Sequence, residues 1–178
     1  MLVVDSALMH KKVHKTAPEI LFGDILLTLY IHIPWCVKKC PYCDFNSHKK
    51  DGADFSEGNY LQALKADLIE KLPLIWGRKI HAVFIGGGTP SLLSPNFYEK
   101  LFAEIRALLS FDSNIEITME ANPGAVEHGS FEGYKKAGIN RISLGVQSFN
   151  SEKLHKLGRI HDNKDVVVSN GRYGYYIK

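Results

Sequence analysis

The stretch YIHIPWCVKKCPYCDFNSH, Tyr30 to His48, contains every cysteine of the chain: Cys36, Cys40 and Cys43. Their spacing is C-x-x-x-C-x-x-C, and an odd count of three cannot pair off into disulfides. Three thiolates on one short loop can face a common point and leave one coordination position of a metal or cluster open. Two other readings stay in play. The cysteines could be buried structural residues, or a zinc site of three Cys and one His could be completed by His48. The loop directly follows LTLYIHI (Leu27–Ile33), a β-favouring apolar run that reads as a strand.

Outward from this loop the chain repeats a rhythm of strand, loop and helix. NYLQALKADLIEKL places Leu61, Leu64, Leu68 and Leu72 at helical spacing. HAVFIGGG (His81–Gly88) is a short strand running into glycines. SPNFYEKLFAEIRALL offers Ser94 as N-cap and Pro95 at the first helical position. Tyr98, Leu101, Phe102, Ile105 and Leu109 form its apolar face. NIEITMEA is a third strand, SFEGYKKAG a short helix capped by Ser130 and ended by Gly138, RISLGVQS a fourth strand, and NSEKLHKLGR the start of another helix.

Strands alternating with helices imply a parallel sheet, doubly wound or barrel-like. The strand faces separate the two. In the third strand Ile115, Ile117 and Met119 oppose Glu116, Thr118 and Glu120. In the fourth, Ile142, Leu144 and Val146 oppose Ser143, Gly145 and Gln147. In the first, Tyr30 and His32 oppose Leu29, Ile31 and Ile33. A doubly wound sheet buries both faces and is apolar on both, whereas one polar face suits a barrel with helices outside and a ligand-lined interior. The expected fold is therefore α/β, with about four βα units of a TIM-like barrel. Active sites of such barrels sit at the C-terminal strand ends. Glu120, Gln147, the glycine run and the cysteine loop all fall there.

The run GGGTPS (Gly86–Ser91) would let backbone N–H groups approach a ligand without obstruction by Cβ atoms. It could equally be an ordinary turn before the Ser94 cap. It is not a phosphate loop, because the lysine of G-x-x-x-x-G-K-[ST] is missing. Arg159 could be a solvated helix residue, and His32 and His161 read as structural.

Composition narrows the remaining classes. A chain of 178 residues is near the ~150 of a single domain, and 45% hydrophobic residues suffice for a core. A net charge of +3 without a basic run or helix face gives no case for nucleic acid. The start MLVVDSALMHKK turns from apolar to basic, the reverse of a signal peptide. The longest apolar run, ILLTLYIHI, is far short of the ~20 residues of a membrane span. Unpaired thiols fit a reducing compartment, so the expected location is the cytoplasm.

Together, YIHIPWCVKKCPYCDFNSH, FIGGGTPSLL, MEANPG and RISLGVQSFN…LGRIH resemble the radical S-adenosylmethionine superfamily. Within it they resemble the branch that contains oxygen-independent coproporphyrinogen III oxidase and the haem chaperone HemW. The resemblance covers about Leu27 to Asp162. It implies a 4Fe–4S cluster on Cys36, Cys40 and Cys43, with S-adenosylmethionine on the open iron and cleaved by an electron from the cluster. It implies that Tyr30 and Tyr42 line this cofactor, that Gly87, Gly88 and Thr89 contact it, and that Glu120 hydrogen-bonds it. Gln147 and Arg159 match residues that hold a second S-adenosylmethionine in the oxidase. The oxidase carries a further cysteine where this chain has Phe45. That departure favours haem handling, with an acceptor protein and an electron donor as partners, over coproporphyrinogen oxidation.

Three segments are expected: an N-terminal extension over 1–24, the first part of the radical S-adenosylmethionine core over 25–165, and a divergent tail over 166–178. The branch's barrel resembles six βα units followed by a C-terminal domain. The reading is therefore of an incomplete, impaired copy whose fourth strand is an open edge. A genuine short hairpin in the tail, turning at Ser169-Asn170-Gly171, is the alternative.

Overall fold

The computed structural model describes residues 2–4, 26–50, 55–75, 77–123, 131–159, 161, 168–171 and 174–177. Its centre is a five-stranded sheet in the order β1 (Leu2–Val4), β2 (Leu27–Ile33), β5 (Ile80–Gly87), β6 (Phe111–Ala121), β7 (Arg141–Leu144). The last four run parallel, and β1 pairs antiparallel with β2, Val3 opposite Tyr30. The extension therefore contributes a strand that its weak patterning did not announce. Each parallel strand is followed by a helix: α1 (Glu57–Ile75), α2 (Pro95–Leu108), α3 (Phe131–Lys136) and α4 (Ser151–Lys156). This is the expected α/β fold with four βα units of a barrel-type sheet.

The face pattern explains why the helices pack where they do. Leu27, Leu29, Ile31 and Ile33 of β2 are buried, as are Val83 and Ile85 of β5 and Ile117 and Met119 of β6. They form one core with Leu61, Leu64 and Leu68 of α1, with Phe97, Tyr98, Leu101, Phe102 and Ile105 of α2, and with Tyr134 of α3. The intervening residues Thr28, Tyr30, His32, Phe84, Glu116 and Glu120 lie on the opposite face and are partly or fully exposed.

Local chemistry sets the ends of the elements. The Ser94 side chain accepts the Phe97 N–H at 3.2 Å and donates to Glu57 at 2.7 Å, while the Ser94 N–H donates to the same carboxylate at 2.6 Å. One cap thus satisfies the start of α2 and fastens it to the first turn of α1. Gly138 (φ +108°) follows α3, its N–H returning to the Lys135 carbonyl at 3.0 Å, an ending that favours glycine. The Ser130 cap lies outside the described residues.

One strand differs from its expected span. RISLGVQS reads as strand through Ser148, but β7 ends at Leu144. Past it the chain turns, and Gln147 takes φ +67°, a left-handed conformation that no strand contains. Among the described residues β7 has β6 as its sole neighbour, and Ile142 and Leu144 are only half-buried. In the tail, β8 (Val168–Gly171) and β9 (Gly174–Ile177) pair as an antiparallel hairpin, with Ser169, Asn170 and Gly171 in the strand rather than at the turn expected there.

Candidate cluster and cofactor site

The loop that carries the cysteines leaves β2 and is closed on itself at its base. A two-residue strand β3 (Trp35–Cys36) pairs in parallel with β4 (His48–Lys49). The His48 N–H donates to the Pro34 carbonyl at 2.7 Å, and the Lys50 N–H to the Cys36 carbonyl at 2.8 Å. Inside this closure a turn joins Cys40 and Cys43, N–H to carbonyl, at 3.1 Å. All three thiols are free; Cys36 is buried, and Cys40 and Cys43 are half-buried.

The loop is anchored to the sheet by His32. Its Nε2 donates to the Asn46 carbonyl at 2.8 Å, and its Nδ1 accepts the Tyr30 hydroxyl at 3.1 Å. A carbonyl can only accept, so this pairing requires the Nε2–H tautomer. His32 is thus structural, as read from the sequence.

The glycine run is held by buried tyrosines on the helix side. Tyr98 donates to the Pro90 carbonyl at 2.7 Å, and Tyr134 to the carbonyls of Ser91 and Leu93 at 2.9 and 3.0 Å. Burial pushes the Tyr134 phenol up to about 12, so it stays a donor at neutral pH. The glycines serve close packing. A Cβ on Gly86 would stand 2.9 Å from a Glu120 carboxylate oxygen, and one on Gly87 2.7 Å from the His32 ring. The Gly87 N–H in turn hydrogen-bonds the Glu120 carboxylate. The packed-turn reading of GGGTPS is the one visible here, since the Gly88 and Thr89 N–H groups donate to the Ile33 and Trp35 carbonyls.

One cavity of about 430 Å³ collects these pieces at the C-terminal strand ends, within the ~300–1,000 Å³ of small-molecule sites. It is lined by Cys36, Cys40, Cys43, Tyr42, Gly87, Gly88, Thr89, Glu120, Gln147 and Arg159, ten of the eleven candidates. Phe45 also lines it. Tyr30 is the exception. It lies lower on the same sheet face, stacked on Phe84 with ring centres 6.2 Å apart, along a second depression shared with Thr28, Glu116 and Thr118. It still lies near enough to Glu120 that the carboxylate, after burial, raises its phenol.

Two further wall residues went unnoticed in the sequence. Asn122 receives Arg159 Nη2 on its side-chain oxygen at 2.6 Å and reaches Thr89 Oγ1 at 3.4 Å. Its place in MEANPG, at a strand end before a proline, was the available signal. Gly145 offers its carbonyl to Arg159 at 2.8 Å. Arg159 is no solvated helix residue, because its Nε is buried without a partner. His161 is 4% exposed and hydrogen-bonds the Val146 carbonyl through Nε2 at 3.0 Å, a structural role.

The donors fit a thiolate-held cluster better than a single ion. Among the described residues no three His, Cys, Asp or Glu side chains gather around one point as a metal ion needs. His48, the fourth ligand that a zinc site would need, does not line the cavity that the three cysteines share. In a cluster each thiolate takes its own iron, so the sulfurs stand further apart. Beside the cysteines the cavity is lined by the Glu120 carboxylate, by Gly87–Thr89, and by Arg159, whose Nε is orphaned. These suit a ligand with both charged and polar groups. Burial raises the Glu120 carboxyl above its ordinary value, and the Gly87 N–H opposes that shift.

Comparison with known proteins agrees with this geometry. The sequence profile of the Radical SAM superfamily matches residues 30–168. The chain is 57% identical over 140 residues to the protein named heme chaperone HemW of Haemophilus influenzae, covering 76% of this chain and 36% of that one. To its Escherichia coli counterpart it is 56% identical over 135 residues, covering 76% and 35%. The chain thus spans about a third of the length of these relatives. Among solved structures, one described as coproporphyrinogen III oxidase (HemN) from Escherichia coli, a radical SAM enzyme, superimposes with a TM-score of 0.66. Its identity is 30%, and the match covers 76% of this chain and 31% of that one. Among the described residues no helix is long and apolar enough to cross a membrane. With its cysteine spacing, parallel sheet and strand-end cavity, and a profile match over most of its length, the chain belongs to the radical SAM superfamily.

Proposed function

We propose that this chain carries the cluster-and-cofactor site of a HemW-like haem chaperone. Cys36, Cys40 and Cys43 hold a 4Fe–4S cluster. Tyr42, Gly87, Gly88, Thr89, Glu120, Gln147 and Arg159 enclose S-adenosylmethionine beside it, and Tyr30 supports Glu120 from the sheet face. Haem is the cargo, passed to an acceptor protein, and an electron donor serves the cluster. The observation that carries this reading is the convergence of five separate segments, all with candidate residues, on one cavity.

When bound, cluster and cofactor supply one-electron chemistry. The protein's part is to bind and orient. Thiolates anchor the iron, and the Glu120 carboxylate, fixed by Gly87, offers its free lone pairs to a cationic or N–H group. The Gly87–Thr89 backbone allows an approach that side chains would block.

Phe45, in place of the oxidase's additional cysteine, and the identity with proteins named HemW both favour haem handling. The likeness to the oxidase structure favours a second reading, a radical enzyme acting on a porphyrinogen. Anaerobic reconstitution followed by assay of iron, sulfide and S-adenosylmethionine binding tests the site. Haem titration beside coproporphyrinogen turnover then separates the two functions. Haem binding without turnover is expected, and turnover without haem binding would overturn the chaperone reading.

A further inference from the structure

Arg159 joins parts of the chain that are far apart in sequence. Its Nη1 donates to Cys40 Sγ at 3.6 Å, and its Nη2 donates to Asn122 Oδ1 at 2.6 Å and to the Gly145 carbonyl at 2.8 Å. One guanidinium therefore ties the cysteine loop to the residues that follow β6 and β7. Independent contacts surround this tie. Gly158 (φ +70°) packs on the loop, where a Cβ would stand 3.1 Å from Pro41 Cδ. A Cβ on Gly145 would stand 3.1 Å from Asn122 Oδ1, crowding the oxygen that receives the Arg159 guanidinium. The Tyr42 side chain stands beside both Cys40 and Arg159.

We propose that Arg159 is a positioning residue that tethers the cysteine loop across the cavity and, through its N–H···S contact with Cys40, tunes the cluster held there. The tuning rests on the proposed cluster; the tether does not. The chemistry favours arginine. Its guanidinium is always charged and presents donors in a fixed fork, so one head group can serve a sulfur, an amide oxygen and a backbone carbonyl together. Hydrogen bonds to thiolate sulfur help to set the cluster's reduction potential. A nearby positive charge favours the more negative, reduced state, so Arg159 raises the potential. This role is additional to any contact that its buried Nε makes with a bound ligand.

The test compares wild type with Arg159→Gln and Arg159→Lys. In cluster-free protein, amide hydrogen exchange over residues 36–46 reads the tether. Both variants are expected to exchange faster there, while exchange in α1 and α2 is unchanged. In reconstituted protein without S-adenosylmethionine, a redox titration followed by electron paramagnetic resonance reads the tuning. Arg159→Gln is expected to shift the reduction equilibrium by about tenfold towards the oxidised form, ~59 mV for one electron. Arg159→Lys keeps the charge and should shift it less. Unchanged exchange together with an unchanged potential overturns the proposal, as does a potential shift that occurs only when S-adenosylmethionine is present. A wild-type chain that takes up no iron overturns the reading of the site and the tuning with it; the exchange experiment still decides the tether.

Discussion

Gly88 meets Trp35 backbone to backbone: a Cβ built on Gly88 would run into the Trp35 carbonyl, standing 2.7 Å from its carbon. On either side, the Gly88 N–H donates to the Ile33 carbonyl and the Thr89 N–H to the Trp35 carbonyl, both at 2.6 Å. The glycine run and the chain entering Cys36 are thus joined directly. Moving one moves the other, so the wall of the cavity and its cysteines share one support.

Gly88→Ala therefore forces two main chains apart, which no rotamer change can relieve. The expected cost is about 1–3 kcal/mol, as for overpacking a close-packed interior, measured by urea unfolding. Wild-type stability would show that the two segments are free to separate.

Ser94→Ala removes both the cap of α2 and one of the two hydrogen bonds to Glu57. A loss of about 1–2 kcal/mol is expected. Because the Ser94 N–H still reaches Glu57, Ser94→Ala combined with Glu57→Ala should cost more than Ser94→Ala alone. Equal stability of single and double variants in chemical denaturation would break the link between α1 and α2.

Glu120→Gln keeps the size of the side chain and an acceptor for Gly87, but removes the charge. S-adenosylmethionine affinity should fall about tenfold or more by calorimetry, since a hydrogen bond to a charged group is worth ~1.5–3 kcal/mol. Stability should change with pH in a defined sense. Burial raises the Glu120 carboxyl in the fold. Its contribution is therefore fully present below the ordinary value of 4.5 and lost as pH rises through the raised one. The variant should gain stability relative to wild type between acid and neutral pH. A constant difference across that range would show that Glu120 is solvated.

Cys36→Ala, Cys40→Ala and Cys43→Ala should each abolish stable 4Fe–4S incorporation, because each leaves two thiolates. Full iron and sulfide loading of any one variant, measured after anaerobic reconstitution, would remove that cysteine from the ligand set.

The sequence alone determined the parts whose signals are local. Apolar alternation in LTLYIHI and NIEITMEA placed β2 and β6 and their two faces, because a side chain's face follows from a period of two along the strand. Ser94-Pro95 marked the start of α2 through its own hydrogen bonding, and the cysteine spacing marked the loop through its own chemistry. Only the tertiary structure decided the rest. RISLGVQS alternates like a strand through Ser148, yet the chain leaves the sheet after Leu144 and takes Gln147 to φ +67°. That change serves contacts such as Gly145 with Arg159 and Val146 with His161. Tyr30 and Glu120 share a face, but Tyr30 stacks on Phe84 along a second depression, outside the cavity. The strand-end position of Asn122 in MEANPG does not by itself give it a role; it matters because Arg159, 37 positions away, folds back onto it. Such contacts depend on where distant segments are brought by the closing of the sheet, and no short-range period along the chain encodes that.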